Sequence, residues 1–321
     1  MVTVAVGRLI GLLIAFLIAI LVGFFVGLLG GRQQGEQAAP SAPRTVTAQK
    51  NGSERTQAEP LTGSAEDFKR TQFEDPTHID NEYFPLKPGT HWVYEGSAIG
   101  DEGRQPRRVV TTVTDLTKVI DGVRTLVISE RDYTAGQLSE PELAFFAQDD
   151  EENVWLVGEY PEEYEDGKFD KAPAWISGQK DARAGITMLA EPRLDTPDYA
   201  QGYAPPPVDF TDRARVYKMG QQTCTPVDCY KKVLVTEEFN PDEPGAYQLK
   251  YYASGVGNVR VGWRGEKEEE KETLELVDYQ HLSPEALAKV RRAAMEMDRR
   301  AYERSEAYRE TPPAQHTLRV E

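Results

Sequence analysis

Residues 107–119 read RRVVTTVTDLTKV and residues 124–133 read RTLVISERDY, so that polar and apolar side chains alternate along both stretches. Alternation with a period of two places the apolar side chains on one face of a β-strand. Asp121-Gly122 lies between the two stretches and is the dipeptide most typical of a two-residue hairpin turn. These residues therefore predict a pair of antiparallel strands.

Similar short runs of β-branched and aromatic residues continue on both sides of this hairpin, separated by turn residues. Successive strands of this kind usually pair with each other, so the sequence predicts a mainly β domain, built as an antiparallel meander, over residues 76–282. Residues 160–212 are rich in proline and predict a long excursion with one or two short strands. The other predicted strands are residues 91–95, 142–148, 153–159, 214–218, 230–239, 247–253, 258–263 and 272–279.

Three segments of this region resemble a group of uncharacterised bacterial exported domains. They are residues 84–95 (FPLKPGTHWVYE), residues 147–155 (AQDDEENVW) and residues 251–257 (YYASGVG). The resemblance covers roughly residues 82–280. It implies export and a sheet curled into a half-barrel, similar to the periplasmic lipoprotein carriers, and it implies almost nothing about activity. A membrane helix and a C-terminal extension are departures from the pattern of this group.

The N-terminal residues predict a membrane anchor. Residues 9–31 contain no charged side chain, and about 20 apolar residues suffice for a helix to cross the hydrocarbon core. A cleaved signal peptide, the alternative, would have a shorter apolar core followed closely by a cleavage site. We therefore expect residues 1–31 to form a single transmembrane helix of the signal-anchor type. Its short N-terminal head is expected in the cytoplasm, with the large domain in the periplasm or outside the cell.

Small residues recur every four positions in the anchor. Small side chains let two membrane helices approach closely, and such a stripe favours self-association or a partner helix. Glycine and alanine are also common in membrane helices without such a role. The predicted helix–helix interface comprises Gly11, Ala15, Ala19, Gly23, Gly27 and Gly31.

Two further segments flank the predicted β domain. Residues 32–75 are poor in large apolar side chains and predict a disordered linker. At the other end, Ser283-Pro284-Glu285 is typical of a helix start, and apolar residues follow at helical spacing, which predicts an amphipathic helix over residues 283–311. Pro312-Pro313 ends this helix, and residues 312–321 are expected to be a loose tail.

The chain has two cysteines, Cys224 and Cys229. Their spacing, with Pro226 and Asp228 between them, is compatible with a local disulfide across a turn in an oxidising compartment. Two free thiols are the alternative. A zinc site would need two more ligands, and the four histidines are not suitably placed, so no metal is expected.

The net charge of −16 argues against binding of nucleic acid, which requires clustered basic residues. Motifs for nucleophilic hydrolysis, phosphate binding or dinucleotide binding are missing from the sequence. We therefore expect neither catalysis nor a cofactor. Acidic pairs occur throughout and do not by themselves indicate a hydrolase.

Four tryptophans, Trp92, Trp155, Trp175 and Trp263, are candidates for the lining of an apolar pocket, although core packing is the simpler role. The leading hypothesis is a membrane-tethered extracytoplasmic binding or scaffold domain whose ligand is a lipid or an envelope protein such as a lipoprotein. The alternatives are a structural envelope protein that oligomerises through its transmembrane helix, and a hydrolase that uses acidic residues.

The glycine stripe generates a first testable prediction. Replacing Gly27→Leu places a large side chain on the predicted helix interface and should lower self-association of the full chain in lipid bilayers several-fold. Energy transfer between two labelled populations in liposomes measures this. Val26→Leu, one position off the stripe, is the matched control. Equal association of the two variants and the unmodified chain would contradict the interface.

Overall fold

The computed structural model describes residues 67–100 and 103–316. The predicted anchor, its glycine stripe and most of the predicted linker lie outside these residues. Within the described part of the chain, no helix has the length and apolar character needed to span a membrane.

The described residues form a mainly antiparallel β structure with helices at its C-terminal end, which agrees with the fold class predicted from the sequence. A short 3-10 helix, Arg70–Gln72, precedes the strands. The helices are α1 (Pro284–Arg304) and α2 (Glu306–Arg309). The strands are β1 (Thr90–Gly100), β2 (Gly103–Ile120), β3 (Val123–Thr134), β4 (Gln137–Gln148), β5 (Val154–Pro161), β6 (Glu163–Glu165), β7 (Lys168–Lys171), β8 (Trp175–Ile176), β9 (Arg183–Met188), β10 (Tyr199–Ala200), β11 (Gly202–Tyr203), β12 (Arg213–Cys224), β13 (Cys229–Phe239), β14 (Tyr247–Ala253), β15 (Gly257–Arg264), β16 (Thr273–His281) and β17 (Gln315–His316).

The predicted hairpin is present. β2 and β3 pair from Arg107 opposite Thr134 to Ile120 opposite Val123. Asp121 and Gly122, between them, have φ values of 48° and 80°, as a turn of the primed type requires. The side chains of β3 and β4 then alternate between the two faces of the sheet. Because of this alternation, every second side chain of each strand lies on the inner face of the sheet.

One sheet contains most of the strands, in the order β10-β12-β13-β14-β15-β16-β1-β2-β3-β4-β5-β9-β11. Only Gln201 separates β10 from β11 in the chain, although these two strands lie at opposite ends of the order. Tyr199 pairs with Ala214 of β12, and Gly202 pairs with Ala184 of β9. One five-residue segment therefore joins both edges, and the sheet is more nearly closed than the expected half-barrel.

A close approach of two backbones occurs where this segment meets β9. A Cβ atom added to Gly185 would lie 2.2 Å from the backbone nitrogen of Gly202, a distance that no side chain tolerates. Glycine at position 185 therefore allows residues 199–203 to seat against β9. Trp175 stacks on Phe210 nearby, with ring centroids 5.3 Å apart, and fills the space below the closing segment.

Helix α1 starts as predicted, because Ser283 caps it by accepting a hydrogen bond from the backbone N–H of Ala286, with Pro284 at the first helical position. The predicted single helix over residues 283–311 is interrupted, however. Ser305 has an extended backbone and caps the separate helix α2 by accepting from the N–H of Tyr308. Phe145 of β4 contacts Tyr308, with ring centroids 6.1 Å apart, so the helices pack against the outer face of the sheet.

The helices are held to the sheet by a buried cation. The Lys118 ammonium donates to Asp298, 2.9 Å away, to the hydroxyl of Tyr302 and to the carbonyl of Pro312. Burial lowers the pKa of Lys118 to about 8, although Asp298 acts in the opposite direction. The Tyr308 ring also faces the ammonium at 4.1 Å.

Two predicted boundaries shift in the structure. The sequence predicts a linker that extends to residue 75, but Phe68 contacts Trp155 with ring centroids 5.5 Å apart, so residues 67–75 belong to the folded domain. The tail was expected to be loose from residue 312, yet Gln315 and His316 pair with β2. His316 also lies 3.0 Å from a carboxylate oxygen of Asp115.

The buried lysine generates a prediction about stability. Lys118→Met leaves Asp298 buried without its cation, and breaking a buried pair in this way costs about 3 kcal/mol. We expect a lower free energy of unfolding in urea and faster proteolysis of residues 284–316. Lys180→Met, which removes the exposed pair between Lys180 and Glu306, is the control and should change little. Equal losses in the two variants would contradict the role of Lys118.

Candidate functional site

The inner face of the sheet carries a row of carboxylic acids. Glu130 of β3 lies directly opposite Glu142 of β4, and Asp132 lies opposite Glu140. Glu159 of β5 lies opposite Ala144, on the same face. Acidic residues placed directly opposite each other on neighbouring strands normally destabilise a sheet. Some other interaction, or protonation, must therefore offset the repulsion between these acidic residues.

The row continues around the curved sheet. Asp212, Glu238 and Glu272 interact electrostatically with members of the β3–β5 row or with each other. Each of the eight acidic residues is at most 6% exposed. Together they form the interior carboxyl cluster: Glu130, Asp132, Glu140, Glu142, Glu159, Asp212, Glu238 and Glu272.

Two buried cations contact the interior carboxyl cluster. The Lys250 ammonium lies 2.8 Å from Glu238. The Arg107 guanidinium lies 3.5 Å from Asp132 and 3.4 Å from Glu272. Two cations cannot neutralise eight ionised carboxylates, so the cluster as described is stable only if most of its members are protonated.

Burial is the main cause of the unusual pKa values in the cluster. Desolvation raises the pKa of Glu159 to about 8, against hydrogen bonding from Trp175, and raises that of Glu272 to about 8, against the charge of Arg107. Desolvation, followed by the charge of Glu159, also raises the pKa of Glu142 well above its ordinary value. Glu140 shifts in the same direction because of burial and the charge of Asp132. These carboxyl groups therefore hold protons at neutral pH.

Several carboxyl oxygens of the cluster lack a hydrogen-bond partner among the described residues. A buried polar atom without a partner costs free energy unless water or a ligand satisfies it. The interior is therefore polar and incompletely satisfied, unlike the apolar concave face expected for a lipid carrier. The oxygens concerned are Oε1 of Glu130, Glu140, Glu142 and Glu159, and Oδ1 of Asp212.

Two cavities adjoin the cluster. The first, the acidic cavity, has a volume of about 30 Å³, which is room for about two water molecules. Its lining includes Asp212, Glu238, Phe239, Gln248, Trp263, Glu268, Glu270 and Glu272. The second, the Trp92 pocket, has a volume of about 40 Å³ and is mostly apolar. Its lining includes Phe84, Leu86, Trp92, Tyr94, Ile128, Glu130, Phe146 and Asn258.

Polarity therefore changes along the length of β4. Phe146, near the end of the strand, lines the Trp92 pocket, whereas Glu142 and Glu140, toward its start, belong to the carboxyl cluster. β3 shows the same change from Ile128, opposite Ala144, to Asp132, opposite Glu140. One end of the interior is apolar and the other is acidic.

The structure does not bring the four predicted tryptophans together. Trp92 lines the Trp92 pocket, and Trp263, 38% exposed, lines the acidic cavity. Trp155 is buried and donates to Asp149 at 2.7 Å. Trp175 is buried in the core and donates to Glu159 at 2.8 Å. Two of the four thus lie at cavities, and these are different cavities.

The two cysteines form a disulfide. Cys224 at the end of β12 lies directly opposite Cys229 at the start of β13, so the bond closes the turn between these strands. Both residues are exposed and lie apart from the two cavities. The role of this bond is to fix a hairpin tip.

Sequence reasoning missed the interior carboxyl cluster, although a signal was present. Glu130 and Asp132 are two residues apart in one predicted strand, and Glu140 and Glu142 repeat that spacing at the start of the next, although Glu140 precedes the predicted strand over residues 142–148. Two residues that are two positions apart in a strand lie on the same face of that strand. Ile128 and Ala144 continue the same faces, but the opposite faces carry Val127, Leu143 and Phe145, so only the folded sheet shows which face is inward.

Comparison with known protein families finds no match, and comparison with curated proteins finds none either. Two solved structures are similar to this chain. One is a candidate exported protein with a YmcC-like fold from Bacteroides fragilis, at 14% identity and a TM-score of 0.39, covering 62% of this chain and 99% of that one. The other is a candidate lipoprotein from Parabacteroides distasonis, at 12% identity and a TM-score of 0.33, covering 63% of this chain and 100% of that one. With TM-scores below 0.5, neither similarity bears on function.

The raised pKa values generate a prediction about pH. A carboxyl group whose pKa is higher in the folded than in the unfolded protein binds more protons when folded, so stability falls as pH rises between the two values. For Glu159 and Glu272 the window runs from about 4.5 to about 8. We expect the free energy of unfolding in urea to decrease from pH 5 to pH 8.

Glu159→Gln tests the source of this effect. Glutamine keeps an oxygen that accepts the hydrogen bond from Trp175 but cannot ionise, so the variant should be more stable than the unmodified protein at pH 8 and similar to it at pH 5. Glu165→Gln, on the exposed hairpin of β6 and β7, is the control and should leave the pH dependence unchanged. A Glu159→Gln profile parallel to that of the unmodified protein would contradict the assignment.

Proposed function

We propose that this protein is a membrane-tethered, extracytoplasmic binding domain that receives the ester or amide end and the first carbons of an acyl chain of a lipid or lipoprotein in the Trp92 pocket. The observation that carries the proposal is this pocket, whose lining is mostly apolar and includes two residues with one polar atom each that has no hydrogen-bond partner among the described residues. Catalysis is not part of the proposed function. The proposal narrows the ligand from a whole lipid to one chain, because the interior beyond the pocket is acidic.

The walls of the Trp92 pocket are fixed before any ligand binds. The Trp92 indole donates to the carbonyl of Val256 at 2.9 Å, and the Tyr94 hydroxyl donates to the carbonyl of Asn258 at 2.8 Å. Phe84 packs against Phe146, with ring centroids 5.5 Å apart. A pocket whose side chains are already ordered loses less conformational entropy on binding.

Two polar atoms in the wall favour those apolar ligands that also carry a hydrogen-bond acceptor. Asn258 Nδ2 and Glu130 Oε1 are buried and have no hydrogen-bond partner among the described residues. Desolvation raises the pKa of Glu130 well above its ordinary value, so its carboxyl group is protonated and is able to donate. Two donors beside apolar rings suit the carbonyl oxygen of an ester or amide that follows an acyl chain.

The sequence supports the same interpretation. Two of the three segments that resemble exported bacterial domains, residues 84–95 and 251–257, meet at this pocket through Phe84, Trp92 and Gly257. The apolar run of residues 9–31 supports attachment to a membrane, and a disulfide supports an oxidising compartment. Self-association through the glycine stripe is compatible with this function and stays a prediction.

Photocrosslinking tests the proposal. The full chain in membranes would be exposed to a photoreactive monopalmitoyl glycerol, and the modified peptides would be identified by mass spectrometry. We expect labelling of residues 84–94 and 257–258 in addition to the apolar run. Labelling confined to residues 9–31 would overturn the proposal, because those residues report contact with lipid alone.

Two variants separate the pocket from the rest of the domain. Trp92→Ala removes an aromatic wall and should lower labelling of the pocket about tenfold, given the roughly 1.5–3 kcal/mol contributed by a buried apolar side chain. Phe84→Ala, at a half-buried position, repeats the test with less risk to folding. Trp263→Ala is the matched control and should not alter labelling. Equal effects of Trp92→Ala and Trp263→Ala would contradict the assigned pocket.

A further inference from the structure

The acidic cavity is a second concave site, separate from the Trp92 pocket. Glu238 of β13 and Gln248 of β14 lie opposite each other in its wall, and Trp263 of β15 is opposite Gln248. The chain between β15 and β16 adds Glu268 and Glu270. The wall thus combines carboxyl groups from several elements with one face of an indole ring.

The cavity contains more negative than positive groups. Five carboxylic side chains line it, whereas two buried cations, Lys250 beside Glu238 and Arg107 beside Glu272, pair with members of this set. Asp212 is 1% exposed, and its Oδ1 has no hydrogen-bond partner among the described residues. Gln248 Oε1 also lacks a partner there. The buried Asp212 oxygen indicates that the cavity is built to accept a hydrogen-bond donor.

The aromatic wall favours an organic cation over a metal ion. The Lys271 ammonium lies 5.5 Å from the Trp263 ring centroid, so this indole already attracts one cation, and 38% of Trp263 is exposed. In residues 67–100 and 103–316, no group of three or more histidine, cysteine, aspartate or glutamate side chains is arranged to hold a metal ion. A volume of about 30 Å³ admits an ammonium group but not a large ring.

We propose that the acidic cavity binds the ammonium end of a small aliphatic polyamine. A primary ammonium has three N–H donors and no acceptor. Asp212 Oδ1 and Gln248 Oε1 supply two acceptors that have no hydrogen-bond partner among the described residues, and the half-buried Glu270 carboxylate supplies a third. The alkyl chain then lies against Trp263, and the acidic groups outside the cavity attract the distal ammonium.

Binding of an ammonium is coupled to loss of protons. Burial raises the pKa of Glu270 to about 7 and that of Glu272 to about 8, in both cases against the charge of Arg107. Burial, followed by the charge of Glu238, raises the pKa of Asp212 well above its ordinary value. An aliphatic amine stays charged across this range, so affinity should rise with pH from 6.5 to 8. The charged groups that face the cavity or act on its lining are Arg107, Asp212, Glu238, Glu243, Lys250, Glu268, Glu269, Glu270, Lys271 and Glu272.

Titration calorimetry with spermidine tests the proposal on the full chain in phosphatidylcholine nanodiscs, whose lipids carry no net charge. We expect binding that is about tenfold tighter at pH 8 than at pH 6.5, with proton release detected as a difference in heat between two buffers of unlike ionisation enthalpy. Absence of binding at millimolar spermidine, or binding without proton release, would overturn the proposal.

Variants distinguish the cavity from the general acidity of the protein. Glu270→Gln, at a half-buried position that tolerates the change, should weaken binding at pH 8 about tenfold, and Asp212→Asn should do the same. Glu269→Gln, the exposed neighbour, removes the same charge outside the cavity and should change affinity less than twofold. If Asp212→Asn fails to fold, the affinities of Glu270→Gln and Glu269→Gln for spermidine are compared, and this comparison tests the proposal by itself.

Equal weakening by Glu269→Gln and Glu270→Gln would show that spermidine binds the acidic surface, and the proposal would fall. Calcium in place of spermidine provides a second test. Calcium binding that is sensitive to Glu270→Gln and excludes spermidine would assign the cavity to metal ions and would also overturn it. Neither result affects the proposed acyl site, because the Trp92 pocket shares no lining residue with the acidic cavity.

Discussion

The structure depends on the pairing of residues 199–203 with both edges of the sheet. Tyr199 pairs with β12 and Gly202 pairs with β9, so a single short segment provides hydrogen-bond partners for two edges that would otherwise face solvent. Closure gives the sheet an inside that water reaches only through small openings. Every inward side chain is then subject to the cost of burial, whether it is apolar or charged.

The interior carboxyl cluster follows from that closure. In an open sheet, Glu130, Glu142 and Glu159 would be solvated, and their mutual repulsion would be weak. Inside the closed sheet they are nearly free of solvent contact, and the two cations Lys250 and Arg107 are too few to neutralise the cluster. Protonation removes the charge of these carboxyl groups, but it also makes the free energy of unfolding depend on pH. A domain under selection for stability alone would have apolar side chains here, so the cluster is the strongest indication that the interior serves a function.

Much of the fold could be predicted from the sequence, because alternation and turn residues are local signals. The β2–β3 hairpin follows from the alternation of residues 107–133 and from Asp121-Gly122, and the start of α1 follows from Ser283 and Pro284. Closure could not be predicted, since it depends on the short pairings of residues 199–203, which lie in a proline-rich excursion without regular alternation. The break at Ser305 was missed because apolar residues continue at helical spacing beyond it. The site was missed for a different reason: acidic pairs are common in this chain, and only the sheet shows which of them face inward.

The change of polarity along β4 gives the domain a direction. The backbone N–H of Gln148, two residues beyond Phe146, bonds to the carbonyl of Pro76, so the apolar end of the interior lies beside the segment by which the chain enters the domain. That segment continues toward residues 9–31. The carboxyl groups of Glu140 and Asp132, toward the other end of these strands, lie away from the entering segment. The interior is thus polarised along β4, so that a molecule entering beside the N-terminal segment meets apolar side chains before it meets carboxyl groups.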